Sequence, residues 1–433
     1  PTDPTDPTDP TDPTDPTDPT DPTDPEPQLT AQVHIHSIYD LDGSDQSSLG
    51  IIEMANPALL PMDQRSERFV RVLTRKDSES DEMQIQGYTP IQPDGSVIFN
   101  VPADVDYSFE IVNRFGKSLN SEQTVGGDSP YQYLQRHSGF LQASVGEKQQ
   151  CTGCHEGGSD APHGFMESDP VNSGIQSPNS VWPNTSETLI ATLEGDTMAE
   201  TWFDNISGAG TLKPIIEYQD NWTPIPYRLN ELLDVSYSEL QTPAPVSIAC
   251  QQEMSGDCPA DINYKDHIKP LWEVAARDED GNRCVDCHDN RGFTSLNLKD
   301  VSSRVSGNLA SYDALLNVSA SYMYLSAVYS PVDSEHCRRE VSAPFSLEPE
   351  SDCFSCYDQS LMNIKGALSS ANFFDVFALG QDDEQWLFRP QFTEQERIEM
   401  REQHSEMLSS PELKLIAEWL DMGAVGGACN SAD

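Results

Sequence analysis

Two cysteine pairs in this 433-residue chain share one spacing, and a histidine follows each of them directly. They read Cys-Thr-Gly-Cys-His at 151–155 and Cys-Val-Asp-Cys-His at 284–288. Two intervening residues let one turn of chain present both sulfurs to one edge of a porphyrin, where they add across its vinyl groups. The next imidazole then reaches the iron. We therefore predict two covalently bound haems c. The attachment and proximal residues are Cys151, Cys154 and His155 for the first haem, and Cys284, Cys287 and His288 for the second.

A zinc site built from both cysteine pairs is the competing interpretation of this pattern. The pairs lie 133 residues apart, however, and each is followed by its own histidine. The chain has ten Cys and nine His, so the probability that two such pentads arise by chance is negligible. Haem is therefore the favoured interpretation.

Each iron also needs a sixth ligand or keeps an open position, and His or Met is the usual choice. For the second haem we favour His404, which lies at the end of a predicted helix, with His267 as the rival. For the first haem, His137 and His163 are the nearest histidines in the sequence, and Met166 follows. A five-coordinate first haem stays open as an alternative.

Six cysteines lie outside the two motifs, and an even number in an exported chain favours disulfides. Cys250 and Cys258 are predicted to close a local loop. The other four are expected to form two further bridges of undetermined pairing: Cys337, Cys353, Cys356 and Cys429. A third haem is the alternative at 353–357, which has the attachment spacing but Tyr357 in place of the histidine.

The chain is strongly acidic, with 72 Asp and Glu against 25 Lys and Arg and a net charge of −47. This balance excludes nucleic acid and anionic membrane surfaces as partners and favours a redox partner protein with a basic patch. Solubility in a salty medium is the alternative reason for such a surface. No run of 18 apolar residues is present, so we expect a membrane only through a tether at the N-terminus.

The sequence patterns predict an α+β fold in four segments. Residues 1–27 hold Pro-Thr-Asp repeats, expected to form a disordered or polyproline-II linker. Residues 28–145 are predicted to form a β-rich, sandwich-like domain. Residues 146–262 are loop-rich and hold the first haem motif, and residues 263–433 are predicted to form a mainly helical, cytochrome c-like domain around the second.

Individual elements follow from local patterns. Alternating apolar residues predict strands at 32–39, 69–73, 96–101 and 107–112. Turns are expected at Asp42-Gly43 and at 114–117, and a hairpin turn at 93–95. A charged helix is predicted over 393–407. A second is predicted to be capped by Ser410, to have an apolar face and to end at Gly423. That apolar face comprises Leu413, Ile416, Ala417 and Leu420.

Several stretches resemble the family of the hydrazine synthase alpha subunit and its exported relatives. They are residues 33–42, 88–103, and 145–147 leading into the first motif. The tail at 404–408 and 415–423 looks like the terminal haem domain of that family. The resemblance covers most of residues 30–425. It implies an unusual first haem and an electron-transferring, bis-histidine second haem whose distal ligand lies near the C-terminus, as His404 does.

The family's enzyme has a Tyr ligand a few residues after the first motif, where this chain reads Glu-Gly-Gly-Ser-Asp at 156–160. The resemblance therefore favours an ordinary electron carrier over hydrazine synthesis.

Three functions remain in view. The favoured one is an exported dihaem cytochrome for electron transfer, in the periplasm or at the outer cell surface, with a lipid anchor at the N-terminus as an open alternative. The second is a haem oxidoreductase, peroxidase-like or acting on a nitrogen compound, with an open first haem. The third is a conductive filament formed by self-association or with other cytochromes. In it His34 or His36, expected on an exposed edge strand, ligates the iron of the next subunit.

Overall fold

The fold is mixed, with β-sheets in the N-terminal part of the chain and helices in the C-terminal part, and the predicted α+β class is confirmed. The structure is a computed structural model. It describes residues 29–61, 64–65, 68–76, 82–119, 136–137, 139–155, 169–228, 232–247, 250, 258–278, 281–289, 296–299, 308–316, 362–377 and 402–426. The repeats of the predicted 1–27 linker lie outside these residues.

The first three-stranded sheet ends at the first cysteine motif. Its central strand, β1 (Thr30–Ile35), pairs antiparallel with β6 (Val97–Pro102) and parallel with β8 (Lys148–Cys151). Alternate side chains, such as Val33 and Phe99, point into a buried core because successive residues of a strand face opposite sides. The short strand β8 was not among the predicted elements, yet it delivers Cys151 to the edge of the sheet.

The second three-stranded sheet has the order β5-β4-β7, with β4 (Phe69–Arg75) between β5 (Met83–Pro90) and β7 (Tyr107–Val112), all antiparallel. Val70 and Val72 of β4 pack in the same core as the inner face of the first sheet. The two sheets therefore form the sandwich-like arrangement that the alternating pattern predicts.

Short turns connect these strands. Asp42 and Gly43 both have positive φ and join the small hairpin of β2 (Asp40–Leu41) and β3 (Ser44–Asp45), as predicted. The turn at 93–95 also forms, but β5 and β6 on either side of it belong to different sheets. The hairpin predicted there is therefore wrong, because this turn carries the chain from one layer of the sandwich to the other.

Loops dominate the middle segment, as predicted, with a few short elements between them. Besides β8, they are α2 (Met198–Asn205), β9 (Ile216–Gln219), β10 (Leu232–Val235) and 3-10 turns at Ile225–Tyr227 and Tyr237–Glu239. The short helix α1 (Ile51–Met54) lies earlier, in the β-rich segment. Thr197 and Glu200 form a capping box at the start of α2, a signal visible in the sequence. Cys250 and Cys258 form the predicted local disulfide. The remaining four disulfide candidates lie outside the described residues.

The described elements after residue 262 are helical. They are a π-helical turn (Tyr264–Ile268), α3 (Lys269–Glu273), α4 (Cys284–Cys287), α5 (Ala310–Leu316), a 3-10 turn (Leu368–Ser370), α6 (Ala371–Val376) and α7 (Ser410–Asp421). Of the helix predicted over 393–407, residues 402–404 are helical and 393–401 lie outside the described residues.

Helix α7 is the longest of these elements. Its N-cap is Ser409 rather than the predicted Ser410, because Ser409 forms the reciprocal capping box with Glu412. The predicted Gly423 stop is present, with a φ of 88° just past the last turn. Trp419 and Leu420 are among the side chains that α7 buries.

Helix α7 lies against the outer face of the second sheet. Phe69 and Leu73, which alternate with the sandwich-facing valines of β4, share a core with Ile416 and Trp419. The β-rich and helical parts of the chain therefore share one apolar core. The segment boundaries at 27, 145 and 262 stay predictions.

No helix among the described residues combines the length and apolar character needed to cross a membrane.

Candidate functional site

The first motif crosses the edge of the first sheet beside the β2–β3 hairpin. Cys151 ends β8 opposite Ile35, and the Cys154 backbone donates to the Asp40 carbonyl at 2.7 Å. Asp42 in turn donates its backbone N–H to the Cys154 carbonyl at 3.1 Å. A Cβ at Gly153 would collide with the Asp40 backbone, so this close approach requires the glycine of Cys-Thr-Gly-Cys. The pairing of Cys151, the close approach at Gly153 and the backbone hydrogen bonds of Cys154 thus fix the motif against the sheet and the hairpin.

His137 faces His155 across this motif. Their ring centroids lie 6.3 Å apart, with the ring planes inclined by 73°. The His137 ring stacks on Phe109 of β7 at 5.4 Å, and its backbone N–H donates to the Phe109 carbonyl at 3.0 Å. Its Nδ1 lies 2.7 Å from the Gly139 carbonyl. A carbonyl can only accept, so Nδ1 carries the proton and Nε2 keeps its lone pair for a metal.

The second motif begins on a helical turn. Cys284 and Cys287 are the first and last residues of α4, and His288 donates its backbone N–H to the Cys284 carbonyl at 2.8 Å. The His288 and His404 ring centroids lie 6.0 Å apart, with planes inclined by 37°. Phe377 lies edge-on to His404 at 5.8 Å. The structure thus brings together two residues that are more than a hundred positions apart in the chain.

Both histidine pairs have the spacing of two axial haem ligands. An iron binds an imidazole nitrogen at about 2 Å, and the ring centroid lies roughly 1.1 Å behind that nitrogen. Two rings on opposite faces of one iron therefore stand about 6 Å apart, centroid to centroid. The measured 6.3 Å and 6.0 Å fit this value. The residues present at each motif thus fit a haem c with two histidine ligands.

The thiols of the two motifs have the state that vinyl addition needs. All four are free rather than joined in disulfides. Burial, with Asp40 adding to it, raises the pKa of the Cys154 thiol to about 12. In the described part of the chain no three Cys, His, Asp or Glu side chains gather into a metal-ion site.

His267, the rival to His404, is engaged elsewhere. Its Nδ1 accepts the backbone N–H of Asn263 at 3.1 Å within the π-helical turn. Three alternatives lie outside the described residues: His163, Met166 and the third-haem segment at 353–357.

His34 and His36 do not occupy an exposed edge strand, so that prediction is wrong. Strands β6 and β8 flank β1 on both sides, and His34 is 3% exposed. Its Nε2 lies 3.1 Å from the Thr197 hydroxyl, and its ring stacks on His36 at 4.4 Å.

Sequence reasoning missed the residues that support the axial histidines. They include Phe109 and Gly139 around His137, and Phe377 beside His404. Gly139 follows His137 by only two residues, a local signal for a His side chain that bonds its own backbone. Phe109 and Phe377 carry no such signal, because only the folded chain brings them to the sites.

Comparisons with known proteins give little beyond this geometry. No protein-family model matches the chain, and no curated protein matches it. Among solved structures it is similar to Kuenenia stuttgartiensis hydrazine synthase, at 14% sequence identity and a TM-score of 0.41. The match covers 92% of this chain but 43% of that one, so the chain spans less than half of that protein's length. The match and the sequence resemblance name the same enzyme, but at this TM-score the likeness carries no argument about function.

Proposed function

We propose that this protein is an exported dihaem c-type cytochrome that transfers electrons, with two histidine ligands on each iron. The observation that carries the proposal is the pairing of one histidine with each motif histidine, at 6.3 Å and 6.0 Å. Residues holding the first haem are Cys151, Cys154, His155 and His137. Residues holding the second are Cys284, Cys287, His288 and His404.

Two histidines on each iron favour electron transfer over substrate chemistry. Bound haem supplies a reversible one-electron Fe(III)/Fe(II) couple. With a second histidine bound, each iron would keep no position open for a substrate, and the chain holds His137 and His404 in place. The Gly139 carbonyl fixes the tautomer of His137, and the Phe109 ring limits its rotation. The Phe377 ring packs edge-on against His404.

Both motifs lie close to the protein surface, as electron exchange with a partner requires. His155 and Cys287 are exposed. The net charge of −47 steers a redox partner protein with a basic patch toward these sites, at an association rate that falls with added salt. Covalent attachment suits the periplasm or the outer cell surface, where a dissociating cofactor would be lost.

Neither alternative function has an observation in its favour. The oxidoreductase alternative needs a first iron with an open position. The His137 and His155 rings, however, have the separation expected of two ligands of one iron. The filament alternative needs His34 or His36 at an accessible edge, whereas β1 is the central strand of its sheet.

The test is a haem count and a carbon monoxide titration of the purified full chain. A pyridine haemochrome assay should give two haems c per chain. Oxidised and reduced absorption spectra should show low-spin iron, and the reduced protein should bind no carbon monoxide. The matched control is the Cys250→Ser, Cys258→Ser variant, which removes the disulfide and keeps both haem motifs. A haem count below two, or one carbon monoxide bound per wild-type chain, would overturn the proposal. The second outcome would make the first haem a candidate catalytic centre.

A further inference from the structure

Two arginines connect helix α7 with the chain segments that carry the two distal histidines. Arg136 immediately precedes His137, and Arg277 contacts the turn that follows His404. Each guanidinium has a polar contact at a different end of α7. We propose that α7 positions both axial histidines through Arg136 and Arg277, which rests on the bis-histidine ligation proposed above.

Arg277 holds the turn after His404 at the N-terminal end of α7. Its Nη1 donates to the Met407 carbonyl at 3.0 Å and to both carboxylate oxygens of Glu412 at 2.9 Å. Met407 in turn donates its backbone N–H to the His404 carbonyl at 3.0 Å. The Arg277 and Glu412 side chains are 6% and 4% exposed, so solvent screens their ion pair little.

Glu412 ties this contact to the helix itself. It is the third residue of α7, and its carboxylate also accepts the Ser409 backbone N–H at 2.9 Å in the capping box. The group that starts the helix is therefore the group that anchors Arg277. A shift of the first turn of α7 moves the His404 turn with it.

Arg136 makes the corresponding contacts at the C-terminal end. Its Nε donates to Glu110 at 3.0 Å, and its Nη2 donates to the backbone carbonyl of Asp421 at 2.7 Å. That carbonyl belongs to the last residue of α7, where the helix leaves carbonyls without internal partners and where a cation is stabilised. Arg71 joins the carboxylates of Glu110 and Asp421, and all three of these side chains are fully buried.

His137 is thereby fixed from two directions. Its own backbone is bonded to Phe109 of β7, while the preceding residue is bonded to Glu110 of the same strand and to α7. The twelve residues of α7 span roughly 18 Å at 1.5 Å per residue. One rigid helix therefore sets the separation of the two distal ligands, and each end acts on a different haem.

This arrangement predicts site-selective effects in the full-length holoprotein. Arg136→Gln should loosen His137 and allow carbon monoxide to bind at the first haem, up to one per chain. Arg277→Gln should do the same at the second haem. Arg136→Lys and Arg277→Lys keep the charge toward Glu110 and Glu412 and should bind less carbon monoxide than the Gln variants. The ring planes are inclined by 73° at one site and 37° at the other, so electron paramagnetic resonance of the oxidised protein should distinguish the two haems.

Combination with a ligand variant assigns each effect to one haem. Arg136→Gln in a His404→Ala background should raise carbon monoxide binding from one to as many as two per chain. Arg277→Gln in that background should leave it at one, because the second iron is already open. Arg228→Gln is the matched control, since this arginine also bonds backbone carbonyls, at Asn221 and Thr223, and contacts neither site.

Glu412→Gln serves as a second variant if Arg277→Gln does not fold, because it removes the anchor and keeps the side-chain shape. The inference is overturned if folded Gln variants keep two low-spin haems that ignore carbon monoxide, as the control does. It is also overturned if both Arg variants open the same haem. Failure of the proposed function looks different. In that case His137→Ala and His404→Ala themselves would leave carbon monoxide binding unchanged.

Discussion

Glu418 is the residue of α7 whose neutralisation should destabilise the protein most directly. It is fully buried, and its carboxylate accepts hydrogen bonds from Lys414 at 2.6 Å, from Tyr237 at 2.7 Å and from the Tyr88 hydroxyl. Lys414 is equally buried and lies 4.0 Å above the Tyr237 ring. This ion pair sits where α7 meets the second sheet, so its loss weakens the joint between the β-rich and helical parts.

The expected cost of Glu418→Gln follows from what remains behind. The amide keeps the shape of the side chain, but Lys414 becomes a buried cation with no counter-charge, and removal of one partner of a buried pair costs roughly 3–5 kcal/mol. Burial already lowers the pKa of Lys414 despite the opposing effect of Glu418. For a chain of 433 residues we expect the melting temperature to fall by roughly 3–6 °C.

A double-mutant cycle separates the ion pair from the tyrosine hydrogen bonds. The Lys414→Met, Glu418→Gln protein has no buried charge at this position and should recover about 2 kcal/mol relative to Glu418→Gln alone. Urea unfolding followed by circular dichroism gives the free energies, and the haem count should stay at two in every variant. A coupling energy below about 0.5 kcal/mol, or a Glu418→Gln protein as stable as the wild type, would refute the reasoning.

Three further predictions concern the sites and the surrounding fold. His137→Ala and His404→Ala should each raise carbon monoxide binding of the reduced protein from none to one per chain; no change in either would remove that residue from the ligand set. Burial, with His36 adding to it, lowers the pKa of His34 to about 3, so only the unfolded state takes up this proton between about pH 6.5 and pH 3. Stability from this residue is therefore complete above pH 6.5 and falls as the pH drops, by about 2 kcal/mol at pH 5. A His34→Gln protein should lack that part of the decline in a pH series of urea midpoints. Replacing both Cys250 and Cys258 by Ala opens a loop of eight residues and should cost roughly 2–3 kcal/mol without loss of haem; an unchanged urea midpoint would show that the bridge does not stabilise the fold.

Local patterns in the sequence were sufficient for much of the β-rich part. Alternation over residues 69–73 and 107–112 predicts strands that the structure contains, because one face of each strand must be apolar to reach the sandwich core. The β4 strand is buried on both faces, however. Arg71 therefore sits among apolar neighbours at a position where alternation alone gives no reason for a charge. Its partner Asp421 lies 350 residues further along the chain, a distance that no local pattern bridges.

The candidate site likewise has residues that the sequence identifies and residues that only the folded chain brings together. The proposed attachment cysteines and proximal histidines are contiguous in the sequence, so spacing identifies them as candidates. The distal histidines are not contiguous with them. Its place near a helix end and the family resemblance favour His404, whereas sequence distance does not separate His137 from His163. What distinguishes His137 in the structure is β7, whose Phe109 carbonyl and ring hold it beside the first motif.

The placement of the basic residues connects the interior of the protein with its proposed partner. Only 25 of the residues are Lys or Arg, and four of them make their ion pairs around α7: Arg71, Arg136, Arg277 and Lys414. Three of these side chains are at most 6% exposed, so they add little positive potential at the surface. Arg277, which contacts the turn after His404, is therefore one of the cations missing from the outer charge. Their partners Glu110, Glu412 and Glu418 are buried with them, so burial removes cations and anions together and leaves the strong negative charge of the surface in place. The acidic field that the proposed basic partner would meet therefore follows from the composition itself.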